Sequence, residues 1–393
     1  MKKKVYASRV ELLSESATIA ISSLARELKA QGKDILSFSA GEPDFDTPQA
    51  VRDEAVRALN SGFTHYTAVA GIPELLKAIS GKLERENGLS YAPNEILVSN
   101  GAKHSLFNIF QALLNDGDEV IIPAPFWVSY PELVTYCGAR SVILQTDEST
   151  NFKITPKQLK DAITPKTKIL VLNSPSNPTG MVYSKKELEE IAKILKGNDV
   201  WVVSDEIYEK LVYDTQVCSI GSLSADMLER SIVVNGLSKA VAMTGWRVGY
   251  LACKDKQLLK YMNNLQSQCT SNVNSIAQKA SVVALNGECD ADIEEMRLAF
   301  KDRMESAFKL FNTLPGFSVL KPQGAFYLFV NISGLPRFGG DSMRFCKELL
   351  ENEGVALVPG CAFGKDGYVR FSFACSIDEI TSGIERIAKF AKF

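Results

Sequence analysis

Residues 235–250 read NGLSKAVAMTGWRVGY and lie between two apolar runs, SIVVN (231–235) and VGYLAC (248–253). Lys239 stands among small residues at the end of the first run, and Arg247 stands at the entry to the second. An ammonium is costly to remove from water, so a lysine between two buried strands is either led out to solvent by its loop or has lost its charge. In the second case burial and neighbouring cations lower its pKa, and the neutral amine can condense with an aldehyde to form a Schiff base. Arg247 would then sit near a phosphate carried by that aldehyde. The remainder of the chain decides between the two.

Upstream, four apolar runs, EVIIP (119–123), SVILQ (141–145), KILVLN (168–173) and VWVVSD (200–205), are separated by helical patterns. Thr155-Pro156 and the capping box Ser184 to Glu187 mark two helix starts. Strands without polar alternation, interleaved with helices, predict an α/β fold: a mostly parallel sheet sandwiched by helices. In such sheets ligands bind beyond the carboxyl ends of the strands. Three polar clusters stand at those ends: NSPSNPTG (173–180), Ser204-Asp205-Glu206, and Lys239. Their convergence on one crevice favours the functional reading of Lys239. Further upstream, a short strand (96–98) runs through Ser99-Asn100-Gly101-Ala102 into a helix. Free N–H groups and the dipole at such a helix start favour phosphate.

The N-terminal part predicts a helix after Ser16 and Thr18, a strand ILSFSAG (35–41), and the turn-rich GEPDFDTP (41–48). Thr47 is expected to cap the next helix, with Pro48 at its first position. Beyond Gly287 a smaller α+β pattern includes the expected strands AFYLFVN, VALVP (355–359) and YVRFSFA (368–374). We therefore expect a large domain over 48–286 and a smaller one from 1–47 and 287–393. Arg370 interrupts a strand otherwise made for burial; it either needs a buried anion or lies at an edge, paired to a surface carboxylate. His65 and His104 are expected in loop or helix-surface roles, and Glu206 facing solvent or an internal partner.

The 393 residues are 46% hydrophobic and 23% charged, with a net charge of -2 and no sustained run of one sign, which gives no footprint for nucleic acid. No window approaches 18 uninterrupted apolar residues, so no membrane span is expected. The eight cysteines are scattered without a C-x-x-C pair. That argues against a metal site or a disulfide framework and for a cytoplasmic protein.

Taken in order, SATIAI (16–21), AGEPDFDTP (40–48), SNGAKHS (99–105), NSPSNPTG, SDEIYE (204–209), NGLSKAVAMTGWR (235–247) and YVRFSFA resemble one family along nearly the whole chain. The chain is similar to class I aminotransferases of fold type I, and within them to the bacterial aspartate aminotransferases that share GLSKAxAMTGWR. The resemblance implies pyridoxal 5'-phosphate as cofactor and Lys239 as its Schiff-base lysine and proton carrier. Asp205 would pair with the pyridine nitrogen, while Asn177 and Tyr208 would hydrogen-bond the ring oxygen and Trp127 would stack on the ring. Gly101, Ala102, Lys103 and Arg247 would hold the phosphate, joined by Tyr66 of a second subunit, so that a homodimer with shared sites is implied. Gly41, Asn177 and Arg370 would take the substrate α-carboxylate. Lys103, with Ser16 and Thr18, would meet the distal carboxylate of a dicarboxylic amino acid. Relatives that use prephenate often carry a basic residue before a Pro-Ser pair, where this chain has Ser14-Glu15-Ser16. The implied reaction is transfer of an amino group between L-aspartate or L-glutamate and a 2-oxo acid. The alternatives are aromatic, alanine or prephenate transamination, or a pyridoxal-phosphate-dependent lyase on the same fold.

Overall fold

The computed structural model describes residues 6–15 and 17–392. In chain order the strands are β1 (Leu36–Ser37), β2 (Ile96–Ser99), β3 (Glu119–Ala124), β4 (Arg140–Gln145), β5 (Thr167–Asn173), β6 (Trp201–Asp205) and β7 (Ser231–Gly236). They are followed by β8 (Gly249–Ala252), β9 (Ser318–Val319), β10 (Tyr327–Asn331), β11 (Val355–Ala356), β12 (Val358–Pro359) and β13 (Tyr368–Ser372).

Seven of these form one sheet in the order β2-β8-β7-β6-β5-β3-β4. The β4-β3-β5-β6-β7 run is parallel, as uninterrupted apolar strands require, and β8 is inserted antiparallel between β7 and β2. β7 and β8 are buried along their whole length, with Gly236 opposite Gly249. Residues 237–248 must therefore leave the sheet at the carboxyl end of β7, and they carry Lys239 out with them. A Cβ on Gly249 would fall 2.3 Å from the backbone nitrogen of Ala102, so the glycine lets the helix Ala102–Leu113 start against this hairpin.

A second sheet, β12-β13-β10-β9, is antiparallel, and β1 pairs in parallel with β11. An aromatic core that includes Phe300, Phe311, Phe326 and Phe371 fills the space between this sheet and the helix Asp290–Asn312. Three expectations change. VALVP is not one strand: Val355–Ala356 joins β1 and Val358–Pro359 joins β13. ILSFSAG pairs only at Leu36–Ser37, and Ser39, Ala40 and Gly41 line a cavity instead. Thr47 does not cap the helix Gln49–Asn60, whose cap residue is Pro48. Its hydroxyl donates to the Ala242 carbonyl at 2.7 Å and accepts from Trp246 Nε1 at 3.0 Å, tying the 41–48 turn to the Lys239 segment. Among the described residues no helix is long and apolar enough to cross a membrane.

Candidate active site

The carboxyl ends of β5, β6 and β7 deliver Asn173, Asp205 and the Lys239 segment to one cavity of about 510 Å³. β13 contributes Arg370 and β10 contributes Tyr327 from the second sheet, while the helix Ala17–Ala30 and residues 39–42 form a further wall.

Each charged group has a definable environment. The Lys239 Nζ donates to the Gly41 carbonyl and lies 5.9 Å from the Tyr208 ring centroid. Burial is the largest cause pushing its pKa down to about 8; Glu42 opposes the shift, and Arg370 and Arg247 reinforce it. Burial likewise pushes Asp205 up to about 6, against hydrogen bonds from Tyr130 Oη at 2.6 Å and the Ile207 N–H at 3.3 Å. Arg370 is 2% exposed and carries no carboxylate partner among the described residues, so the surface ion pair considered from sequence is not what the strand holds. Its Nη1 donates to Asn177 Oδ1 at 3.0 Å and its Nη2 to the Ser39 carbonyl at 2.8 Å, above the Tyr327 ring at 4.3 Å. Arg370 Nε is buried without a partner among the described residues. A buried guanidinium with a donor to spare is a receptor for a carboxylate.

The profile of the family described as aminotransferase class I and II matches residues 33–387. The chain belongs to the class I and II aminotransferases. It is 47% identical over 393 residues to an aspartate aminotransferase of Bacillus sp. (strain YM-2), covering 99% of this chain and 100% of that one. Its structure is similar to that of the aspartate aminotransferase from Rhizobium meliloti, at a TM-score of 0.94 and 41% identity over 99% of each chain. It matches the Thermus thermophilus aspartate aminotransferase with maleate equally well, at a TM-score of 0.94 and 42% identity over 98% of this chain and 100% of that one. The fold is that of the fold type I aminotransferases.

In this aminotransferase the cavity brings together Gly41, Ala102, Asn177, Asp205, Tyr208 and Lys239, and with them Thr18, Lys103, Trp127, Arg247 and Arg370. Thr18 lies inside the helix Ala17–Ala30 rather than before it, and Ser16 lies outside the described residues. Gly101 stands behind the wall: its φ is +84°, and a Cβ there would meet Arg247 Nη2 at 2.5 Å. Lys103 Nζ sits 5.0 Å over the Trp127 ring, and burial followed by the Arg247 charge lowers its pKa. Tyr66 is 91% exposed and does not line this chain's cavity. Glu206 is buried but turned away, accepting from Ser204 Oγ at 2.8 Å and Ser219 Oγ at 2.6 Å.

Tyr130, Tyr327 and Ser39 were not expected in the site from the sequence, and Asn173 was placed there only as the first residue of the NSPSNPTG cluster, without a role of its own. Tyr130 holds Asp205, and Tyr327 Oη sits 3.0 Å from Tyr208 Oη. Asn173 bridges its neighbours, its Oδ1 accepting from the Asn177 N–H at 2.9 Å and its Nδ2 donating to the Asp205 carbonyl at 3.1 Å. Ser39 supplies the carbonyl that steers Arg370. Tyr130, three residues after Trp127, and Asn173, at the end of an apolar strand, had a local signal.

Proposed function

We propose that this aminotransferase moves the amino group between L-aspartate or L-glutamate and 2-oxoglutarate or oxaloacetate, in two half-reactions, with pyridoxal 5'-phosphate as cofactor. The observation that carries the reading is the meeting of three groups in one cavity: an amine lowered to about 8, a carboxylate behind it, and a buried guanidinium with a spare donor. The chemistry of this donor set fits the cofactor. Lys239 would hold its aldehyde carbon and Asp205 its ring nitrogen, while Asn177 and Tyr208 would meet its ring oxygen and Trp127 would cover the ring. The N–H groups at the start of the helix Ala102–Leu113, with Arg247, would cradle its phosphate. When bound, the cofactor supplies an electron sink for the pair left on the substrate's α-carbon.

The chain's own part is binding, orientation and proton transfer. Arg370 receives the α-carboxylate on a fork fixed by Asn177 and Ser39, which sets the orientation of the α-C–H bond. With Asn177 Oδ1 engaged by Arg370, its Nδ2 remains to donate to an oxygen. Lys239, whose pKa lies close to working pH, can take a proton from the α-carbon and deliver it again nearby. Asp205 as a carboxylate favours a proton on the group it faces, and Tyr130 supports that ionised form. Lys103, with Thr18 and Ser16, would meet the distal carboxylate, and maleate in the Thermus relative's structure supports a dicarboxylate.

A homodimer belongs to the same proposal, since Tyr66 stands exposed and outside its own chain's cavity. So do the division into 48–286 and 1–47 plus 287–393, supported by the seven-stranded sheet falling on one side of it and the four-stranded sheet and the β1-β11 pair on the other, and a cytoplasmic location, where unpaired cysteines stay reduced. Incubation with L-aspartate and 2-oxoglutarate should yield oxaloacetate and glutamate in equal amounts. Release of ammonia from aspartate without an acceptor would instead indicate a lyase.

A further inference from the structure

The helix Ala17–Ala30 has two faces. Ala25 packs with Ile35, Leu350 and Ala356, flanked by Ile21 and Leu28. Thr18, Ser22 and Arg26, spaced four apart, form a polar stripe, and all three line the cavity. At the helical rise Arg26 stands about 6 Å along the axis from Ser22. Facing the stripe, Ser37 and Ser39 alternate on extended chain and also line the cavity. Their hydroxyls form a chain, Ser22 Oγ to Ser39 Oγ at 2.9 Å and Ser39 Oγ to Ser37 Oγ at 3.0 Å. Arg26 is exposed, its Nη2 donating to Ser23 Oγ at 3.2 Å.

The charges in the cavity do not balance. Among the described residues five cations line it (Arg26, Lys103, Lys239, Arg247 and Arg370) against two carboxylates, Glu42 and Asp205. The proposed function uses Arg247 for a phosphate, Arg370 for an α-carboxylate, Lys239 for the amine chemistry and Lys103 for a distal carboxylate. Arg26 is left without a task, on a long side chain at the exposed rim, with hydroxyl donors beside it.

We infer that Arg26, with the Ser22, Ser39 and Ser37 hydroxyls, is a specificity-determining residue that captures the distal carboxylate of the longer dicarboxylic amino acids, glutamate and its one-carbon homologue. A planar fork reads a carboxylate with two parallel donors, and at the rim it reaches a group that a shorter side chain would leave deeper in the cavity. The inference rests on the proposed function. The holoenzyme is compared with its Arg26→Gln and Arg26→Lys variants, using L-glutamate, L-2-aminoadipate and L-alanine. Arg26→Gln should lower the glutamate-to-alanine and aminoadipate-to-alanine ratios of kcat/KM about tenfold, through KM, and Arg26→Lys should recover part of the loss. Unchanged ratios, including those from an equal fall with all three substrates, would overturn the inference while leaving the proposed function standing. If the wild type transaminates none of the three, the proposed function fails, and calorimetric binding of glutarate against butyrate still reads Arg26. A dicarboxylate preference that survives in Arg26→Gln would then overturn it; loss of the preference would support it.

Discussion

Tyr130 donates its hydroxyl to Oδ2 of Asp205 at 2.6 Å, from the helix Ser129–Tyr136 to the end of β6. Burial drives the Asp205 carboxyl up to about 6, and this bond is the largest of the effects that hold it down. Tyr130→Phe removes a charge-assisted donor while keeping the ring, which should raise the Asp205 pKa by about one unit. In the proposed function Asp205 is needed as a carboxylate, so the acid limb of pyridoxal 5'-phosphate binding to the cofactor-free protein should move up by the same amount. A limb that stays in place would mean that Asp205 does not govern it.

Lys239 gives a second pH signature in the cofactor-free protein. With its pKa near 8, reaction of Nζ with an amine-selective reagent should level off just above that pH, whereas ordinary lysines keep gaining reactivity beyond 10. Peptide mapping of the labelled protein reads the two separately, and a Lys239 profile that follows the bulk would contradict the assigned environment. Stability follows with a definite sign. Between about 8 and 10.5 the unfolded chain keeps a proton that the folded chain has released, so this group's contribution to stability rises with pH across that window.

Gly101 is needed for space as well as conformation. With φ at +84° and Arg247 Nη2 at 2.5 Å from any added Cβ, Gly101→Ala should cost about 1 kcal/mol in stability and displace the guanidinium. Equilibrium dialysis should show pyridoxal 5'-phosphate binding weakened about tenfold, as expected for a disturbed charge-assisted contact. Affinity that survives the substitution would remove Arg247 from the phosphate cradle.

Tyr66 tests the second subunit. It lies outside its own chain's cavity and is 91% exposed, so in a monomer Tyr66→Phe should leave cofactor affinity unchanged. In the proposed dimer the lost hydroxyl contact should weaken that affinity about fivefold. Sedimentation of the same samples establishes whether two copies are present when the effect is read.

Much of the site was legible because β5, β6 and β7 are parallel neighbours, so polar residues at their ends must meet whatever lies between them in sequence. Arg370 was legible because a charge in an apolar strand needs an explanation. The pairings were not legible, because Tyr130 with Asp205, Tyr208 with Tyr327 and Arg370 with Ser39 join residues far apart in the chain, and periodicity carries no information about them. Thr47 shows how local rules mislead. A threonine before proline reads as a cap, yet here a carbonyl and an indole 195 and 199 residues away take its hydroxyl. The unbroken apolar stretch VALVP hid a change of sheet at Leu357, since both of its ends are buried and only their partners differ.

The central claim, an amino-group transfer from dicarboxylic amino acids at Lys239, is tested most directly by visible spectroscopy of the purified protein with its cofactor. Adding L-aspartate or L-glutamate should abolish the absorption of the lysine-bound aldehyde form, and 2-oxoglutarate should restore it, while Lys239→Ala should show neither change at a comparable rate. If only alanine or phenylalanine produces the change, the transamination stands and the dicarboxylate assignment falls. If the Lys239→Ala protein cycles as fast as the wild type, the account of the site is wrong.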